Sequence, residues 1–80
     1  MLIPAELEDV LVSTSDSLHG AVRFAGTRVF AQSLFDYVLG GSTLDEFLDH
    51  FPDVTRDQAE AVLETYRDRL RHELGFDQVA

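Results

Sequence analysis

The chain has 80 residues, with fifteen acidic side chains against six arginines, no lysine and no cysteine, and a net charge of −9. A chain this short makes one domain burying roughly 60–65% of the surface its unfolded form exposes, and the missing thiols exclude disulfides and thiolate metal sites, which suits a reducing cytosol. The acidic balance opposes nucleic acid and anionic membranes at long range and favours a basic protein partner, while no run nears the ~18 apolar residues of a membrane span and no basic-then-apolar leader precedes Arg23, so the expected location is cytoplasmic.

Residues 1–11 read as a loosely organised N-terminal segment, 12–75 as one domain and 76–80 as a frayed tail. Pro4 suits the first turn of a short helix through Leu7 and Leu11, but Val10-Leu11-Val12 also reads as a strand, and the strand is the preferred reading. In "VRFAGTRVFA" the Gly26-Thr27 pair suits a two-residue type II′ hairpin loop with glycine at the first central position. That register sets Ala25 opposite Arg28, Phe24 opposite Val29, Arg23 opposite Phe30 and Val22 opposite Ala31. Alternation then puts Val22, Phe24, Val29 and Ala31 on the core face, and Arg23, Arg28 and Phe30 on the other.

From Ala31 the period changes to that of a helix, through Leu34, Phe35, Val38 and Leu39, and Gly40-Gly41 supplies the stop. Thr43 and Glu46 have capping-box spacing ahead of a second helix whose stripe is Leu44, Phe47, Leu48 and Phe51, ended by Pro52. Thr55 and Gln58 repeat the box, with Val54 placed to staple onto Ala59. The third helix is expected over about Arg56–Leu74, with an inner stripe of Ala59, Val62, Leu63, Tyr66, Leu70 and Leu74, and Gly75 ending it. The fold class is therefore mainly α: a three-helix, helix-turn-helix-like (homeodomain-like) bundle with a short N-terminal β-hairpin.

Two constellations are candidates for function. A recognition helix would present its first turns to the major groove, which makes Arg56, Arg67 and Arg71 the DNA-binding candidates. The outward positions of those turns are Arg56, Asp57, Glu60, Ala61 and Glu64, however, and three acids against one arginine disfavour phosphate contact. Arg67, Arg69 and Arg71 suit a solvated face with pairs such as Glu64 to Arg67 and Arg69 to Glu73. The second constellation is Arg23, Arg28 and Phe30, since arginine and aromatics are enriched at binding hot spots. The structural alternative for Arg28 is to satisfy carbonyls of the turn or to pair with Asp36 or Asp53. His50 suits the dipole and last carbonyls of the second helix. His19 and His72 have no metal-ligand spacing with it, the carboxylates lie on outer helix faces, and no nucleophile relay or phosphate loop occurs. No catalysis, metal or cofactor is expected.

The stretch from Val12 to about Asp68 resembles a widespread bacterial family known as domain of unknown function 433. The residues that carry the resemblance are Gly20, Gly26-Thr27-Arg28 with Val29, the Gly41-Ser42 step into Leu44-Asp45-Glu46, and Phe51-Pro52-Asp53-Val54-Thr55 leading to Ala59 and Val62. Members usually have prolines where Val22 and Phe30 stand, and a strand edge without that proline is open to pairing with another chain, which suggests a homodimer through the hairpin. Many members are described as VapB-type antitoxins encoded beside PIN-like ribonuclease toxins. The resemblance thus implies a small type II antitoxin that masks a PIN-like toxin, occluding a basic or RNA-binding face or setting an arginine against its acidic metal site, and that represses its own operon. The rival readings are a helix-turn-helix DNA-binding repressor and a plain dimerisation module.

Overall fold

A computed structural model of the protein describes residues 3–13 and 22–75. The expectations for His19, Gly20 and the tail at 76–80 lie outside the described residues. A short 3₁₀ helix at Ala5–Leu7 leads into strand β1 (Leu11–Ser13), which pairs antiparallel with β2 (Val22–Phe24). Three helices follow: α1 (Ala31–Leu39), α2 (Leu44–His50) and α3 (Arg56–Leu74). The chain is mainly α with a small β-ladder ahead of the helices, as the pattern predicts.

The ladder differs from the expected hairpin. β2 finds its continuous partner in β1, with Leu11 opposite Phe24, Val12 opposite Arg23 and Ser13 opposite Val22. The arm after the Gly-Thr turn makes a single bridge, Arg23 to Phe30, in the predicted register. Its turn is Phe24–Thr27, closed by Thr27 N–H donating to the Phe24 carbonyl at 3.1 Å. Gly26 therefore occupies the second central position, where φ is +76°, as in a type II turn and unlike the expected type II′. Thr27 explains the difference. Its buried hydroxyl donates to the Phe24 carbonyl (2.9 Å) and accepts the Val29 N–H (3.0 Å), so the side chain takes over bonds that a tighter loop would make through backbone.

The helix boundaries follow the capping chemistry. α1 ends in a Schellman arrangement: Ser42 N–H reaches the Tyr37 carbonyl (2.9 Å), Gly41 N–H reaches Val38 (3.1 Å), and Gly41 takes φ +94°, which a side chain would make costly. Both capping boxes are complete. Thr43 Oγ1 accepts from Glu46 N–H and Thr43 N–H donates to Glu46 Oε1 (2.8 Å); Thr55 and Gln58 repeat the exchange. Gln58 also does what a glutamate in its place could not. While its Oε1 accepts Thr55 N–H, its Nε2 donates to the Ala25 carbonyl at 3.0 Å, tying the start of α3 to the β-turn.

The core gathers Leu7, Leu11, Phe24, Leu34, Phe47, Val54, Ala59 and Val62, with the Phe24 ring 6.2 Å from that of Phe47. Val54 is buried with Ala59, as a hydrophobic staple requires. The expected inner stripe of α3 is buried only in its first half. Ala59 and Val62 are sealed and Leu63 is half-buried, but Tyr66, Leu70 and Leu74 are exposed. Length is the reason: α3 has 19 residues against 9 in α1 and 7 in α2, so about 28 Å of helix meets neighbours of about 13 and 10 Å. At the end of α1, Leu39 is the most exposed large apolar side chain described.

Two outcomes test the caps. Gln58→Glu keeps the box but loses the donor to Ala25, and should lower stability by about 1–2 kcal/mol in urea denaturation. The Glu46 carboxyl is held below its ordinary value of 4.5, first by accepting the Thr43 N–H, then by the Thr43 hydroxyl, with a smaller contribution from His50. Its folded value lies below its unfolded one, so this stabilisation is complete above about pH 4.5 and disappears as the pH falls through the lowered value. Wild type and Glu46→Gln should therefore differ in urea midpoint at neutral pH and converge on acidification.

Candidate functional site

Alternation along β2 decides what faces outward beside the turn. Phe24 is fully buried, so Arg23 must project to the opposite face, together with Val12 across the ladder. A groove of about 650 Å³ opens on that face, and Arg23, Arg28 and Phe30 all line it, with Phe51 and Asp53 contributed by the α2–α3 connection. The three residues expected to act together are thus brought together.

Their roles differ from the expected ones. Arg23, and not Arg28, satisfies the turn: its Nη1 donates to the Thr27 carbonyl at 3.1 Å, and the side chain is half-buried. Arg28 is exposed and has no hydrogen bond or ion pair to a described residue, so neither Asp36 nor Asp53 neutralises it. Phe30 is 49% exposed and stands at the N-cap of α1, where it offers no side-chain acceptor. A cap position prefers Ser, Thr, Asp or Asn, and no acid lies in the first turn of α1. Phe30 therefore departs from two local preferences at once, and such departures concentrate where a residue serves something other than its own fold. The strand edge it was expected to leave open is short, because the helix begins at Ala31.

The DNA-binding candidates do not converge. Arg56, in the first turn of α3, donates from Nη2 to Asp45 Oδ1 at the start of α2 and lies 3.8 Å from Glu60, so its charge is already matched, and the bond to Asp45 pushes its pKa further up. Arg67 lies eleven residues on, about 16 Å along the helix, and pairs with its neighbour Asp68 (2.9 Å) instead of the expected Glu64. Arg71 lies one turn further and is exposed. The expected Arg69–Glu73 pair does not form either, and Ala61, expected on the outer face, is packed against the core. His50 also departs from expectation: its Nδ1 shares a 2.9 Å hydrogen bond with the Tyr37 hydroxyl, drawn in by a cluster in which Tyr37 meets Phe47, Phe51 and His50 edge-on. The Asp45–Arg56 bridge between the two helix starts and the Gln58 clamp are contacts that the sequence pattern does not announce. The glutamine standing where Thr43's box has glutamate was the available signal for the second. Among the described residues no group of three acids or histidines could hold a metal, and no helix is long and apolar enough to cross a membrane.

Residues 11–66 match the family model described as protein of unknown function (DUF433). No curated protein and no solved structure matches the chain.

The division of labour between the groove residues is measurable as stability. Arg23→Ala should cost about 1 kcal/mol through the turn carbonyl it leaves, whereas Arg28→Ala should stay within about 0.5 kcal/mol of wild type. Phe30→Asp supplies the missing cap and should raise stability by about 0.5–1 kcal/mol in urea denaturation.

Proposed function

The chain belongs to the DUF433 family, and from that premise we propose that it is an antitoxin-like regulator that binds and masks a PIN-like ribonuclease partner through the groove beside its Gly26 turn. The observation that carries the reading is the state of two neighbours. Arg28 holds an uncompensated charge in a chain of net charge −9, next to an aromatic ring left half in water at a position where a polar residue would stabilise the helix. Arginine and aromatic side chains that cost the free protein something and gain a partner on docking are the usual anchors of an interface.

Arg23 supports the same reading as a pre-positioned wall: its guanidinium is held by the Thr27 carbonyl, so less rotamer entropy remains to be lost on binding. The acidic remainder of the surface would speed encounter with a basic partner. Direct readout of DNA by α3 is disfavoured, because Asp57, Glu60 and Glu64 crowd its first turns and the one arginine there is occupied by Asp45. Operon repression, where it occurs, would then draw on the complex with the partner.

Co-expression with the product of the adjacent gene, followed by titration calorimetry, tests this. A stoichiometric complex is expected, with Arg28→Ala and Phe30→Ala each weakening it at least tenfold, about 1.4 kcal/mol, and Arg69→Ala changing it less than twofold. Unchanged affinity in both groove variants would remove the groove from the interface. Operator binding by the chain alone, with a salt slope that Arg56→Ala or Arg71→Ala flattens by about one, would replace this reading with that of a repressor.

A further inference from the structure

The far half of α3 carries a second surface, sharing no residue with the groove. Leu70 and Leu74 are 55% and 56% exposed, and they continue the line of the half-buried Leu63. At 100° per residue these three leucines fall within an arc of about 40°, and Glu60, Glu64, Arg67 and Arg71 fall within the adjoining arc of about 60°, in one column along the same edge of the stripe. Tyr66 lies on the opposite edge, where Phe35 of α1 meets it edge-on at 6.1 Å, so the column faces away from that contact. All four charged side chains are at the surface, and the pairs that Glu60 makes with Arg56 (3.8 Å) and Arg67 with Asp68 (2.9 Å) are solvent-exposed, so exchanging them for contacts with a second copy costs little.

The order of signs along that column is acid, acid, base, base. The midpoint between Glu60 and Arg71 coincides with the midpoint between Glu64 and Arg67: both fall between Thr65 and Tyr66. A two-fold axis perpendicular to α3 and passing beside it at that level therefore sets Glu60 against Arg71 and Glu64 against Arg67 of a second copy, four complementary contacts in all, and brings Leu70 within two residues of the level of the other copy's Leu63. A parallel arrangement would set acid on acid and base on base. A different protein would have to carry the same column in reverse, whereas this chain already does.

We propose that a second copy of this chain docks antiparallel on the Leu63–Leu70 edge of α3, forming a two-fold homodimer held in register by Glu60–Arg71 and Glu64–Arg67 pairs between protomers. Sedimentation equilibrium of the full chain at concentrations up to about 100 µM tests it, within the range where modest interfaces associate. Wild type is expected to dimerise. Leu70→Glu and the double variant E60R/E64R should each raise the dissociation constant at least tenfold with helical circular dichroism unchanged, since these positions are at the surface. The exchanged variant E60R/E64R/R67E/R71E restores the complementary order and should return to within about threefold of wild type. Mixing E60R/E64R with R67E/R71E, which carry columns of single and opposite sign, should give a heterodimer. A wild-type monomer at the highest concentration, a dimer indifferent to E60R/E64R, or failure of both the exchange and the mixture would overturn the proposal.

Discussion

Phe24 joins the β-ladder and the turn to the helical core, and does so through both its ring and its backbone. Its ring is fully buried against Phe47, its N–H donates to the Val29 carbonyl, and its own carbonyl accepts both the N–H and the hydroxyl of Thr27. One residue thus anchors the ladder, the turn and the start of the helical core. Because side chains alternate, burying Phe24 forces Arg23 outward; because the turn closes on Phe24, Arg28 and Phe30 emerge beside Arg23. Gln58 completes the frame by joining the Ala25 carbonyl to the cap of α3, so the groove is built on backbone that both the sheet and the longest helix hold in place.

The charges sort themselves against this frame. In a chain with so few cations, Arg23 is taken up by the turn, Arg56 by Asp45, and Arg67 by its neighbour Asp68. Exposed pairs of this kind add little stability, so Arg67 can leave Asp68 for another carboxylate at little cost. Arg28 is available in the groove, and Arg71 on the far half of α3. The two surfaces therefore have different physical characters. The groove offers a fixed concave face with two guanidinium groups, one tethered to the turn, and an aromatic ring, whereas α3 offers a convex apolar edge with a self-complementary column of charge.

Element types and boundaries were largely legible, and for local reasons. Thr43 with Glu46, Thr55 with Gln58, Gly41 after Leu39 and Gly75 after Leu74 are short-range chemical signals, and each cap forms where the spacing puts it. The grouping of Arg23, Arg28 and Phe30 was legible too, since it follows from period-two alternation around one turn. Illegible were contacts between segments distant in the chain. Nothing local marks β1 as the partner of β2, Asp45 as the partner of Arg56, or Tyr37 as the partner of His50.

The amino-acid order by itself determined the three helices, their caps, the turn near Gly26 and the two faces of β2, because propensity, capping and periodicity act over a few residues. Which arginine serves the turn and which is left unpaired follows from the folded path, because Arg23 and Arg28 flank the same glycine and only the course of the chain around it brings one guanidinium to the Thr27 carbonyl. The tertiary structure also decided that the apolar stripe of α3 is core at Ala59 and Val62 and surface at Leu70 and Leu74. Periodicity identifies a face of a helix, but whether that face is buried depends on how far its neighbours reach, and α1 and α2 are too short to cover it.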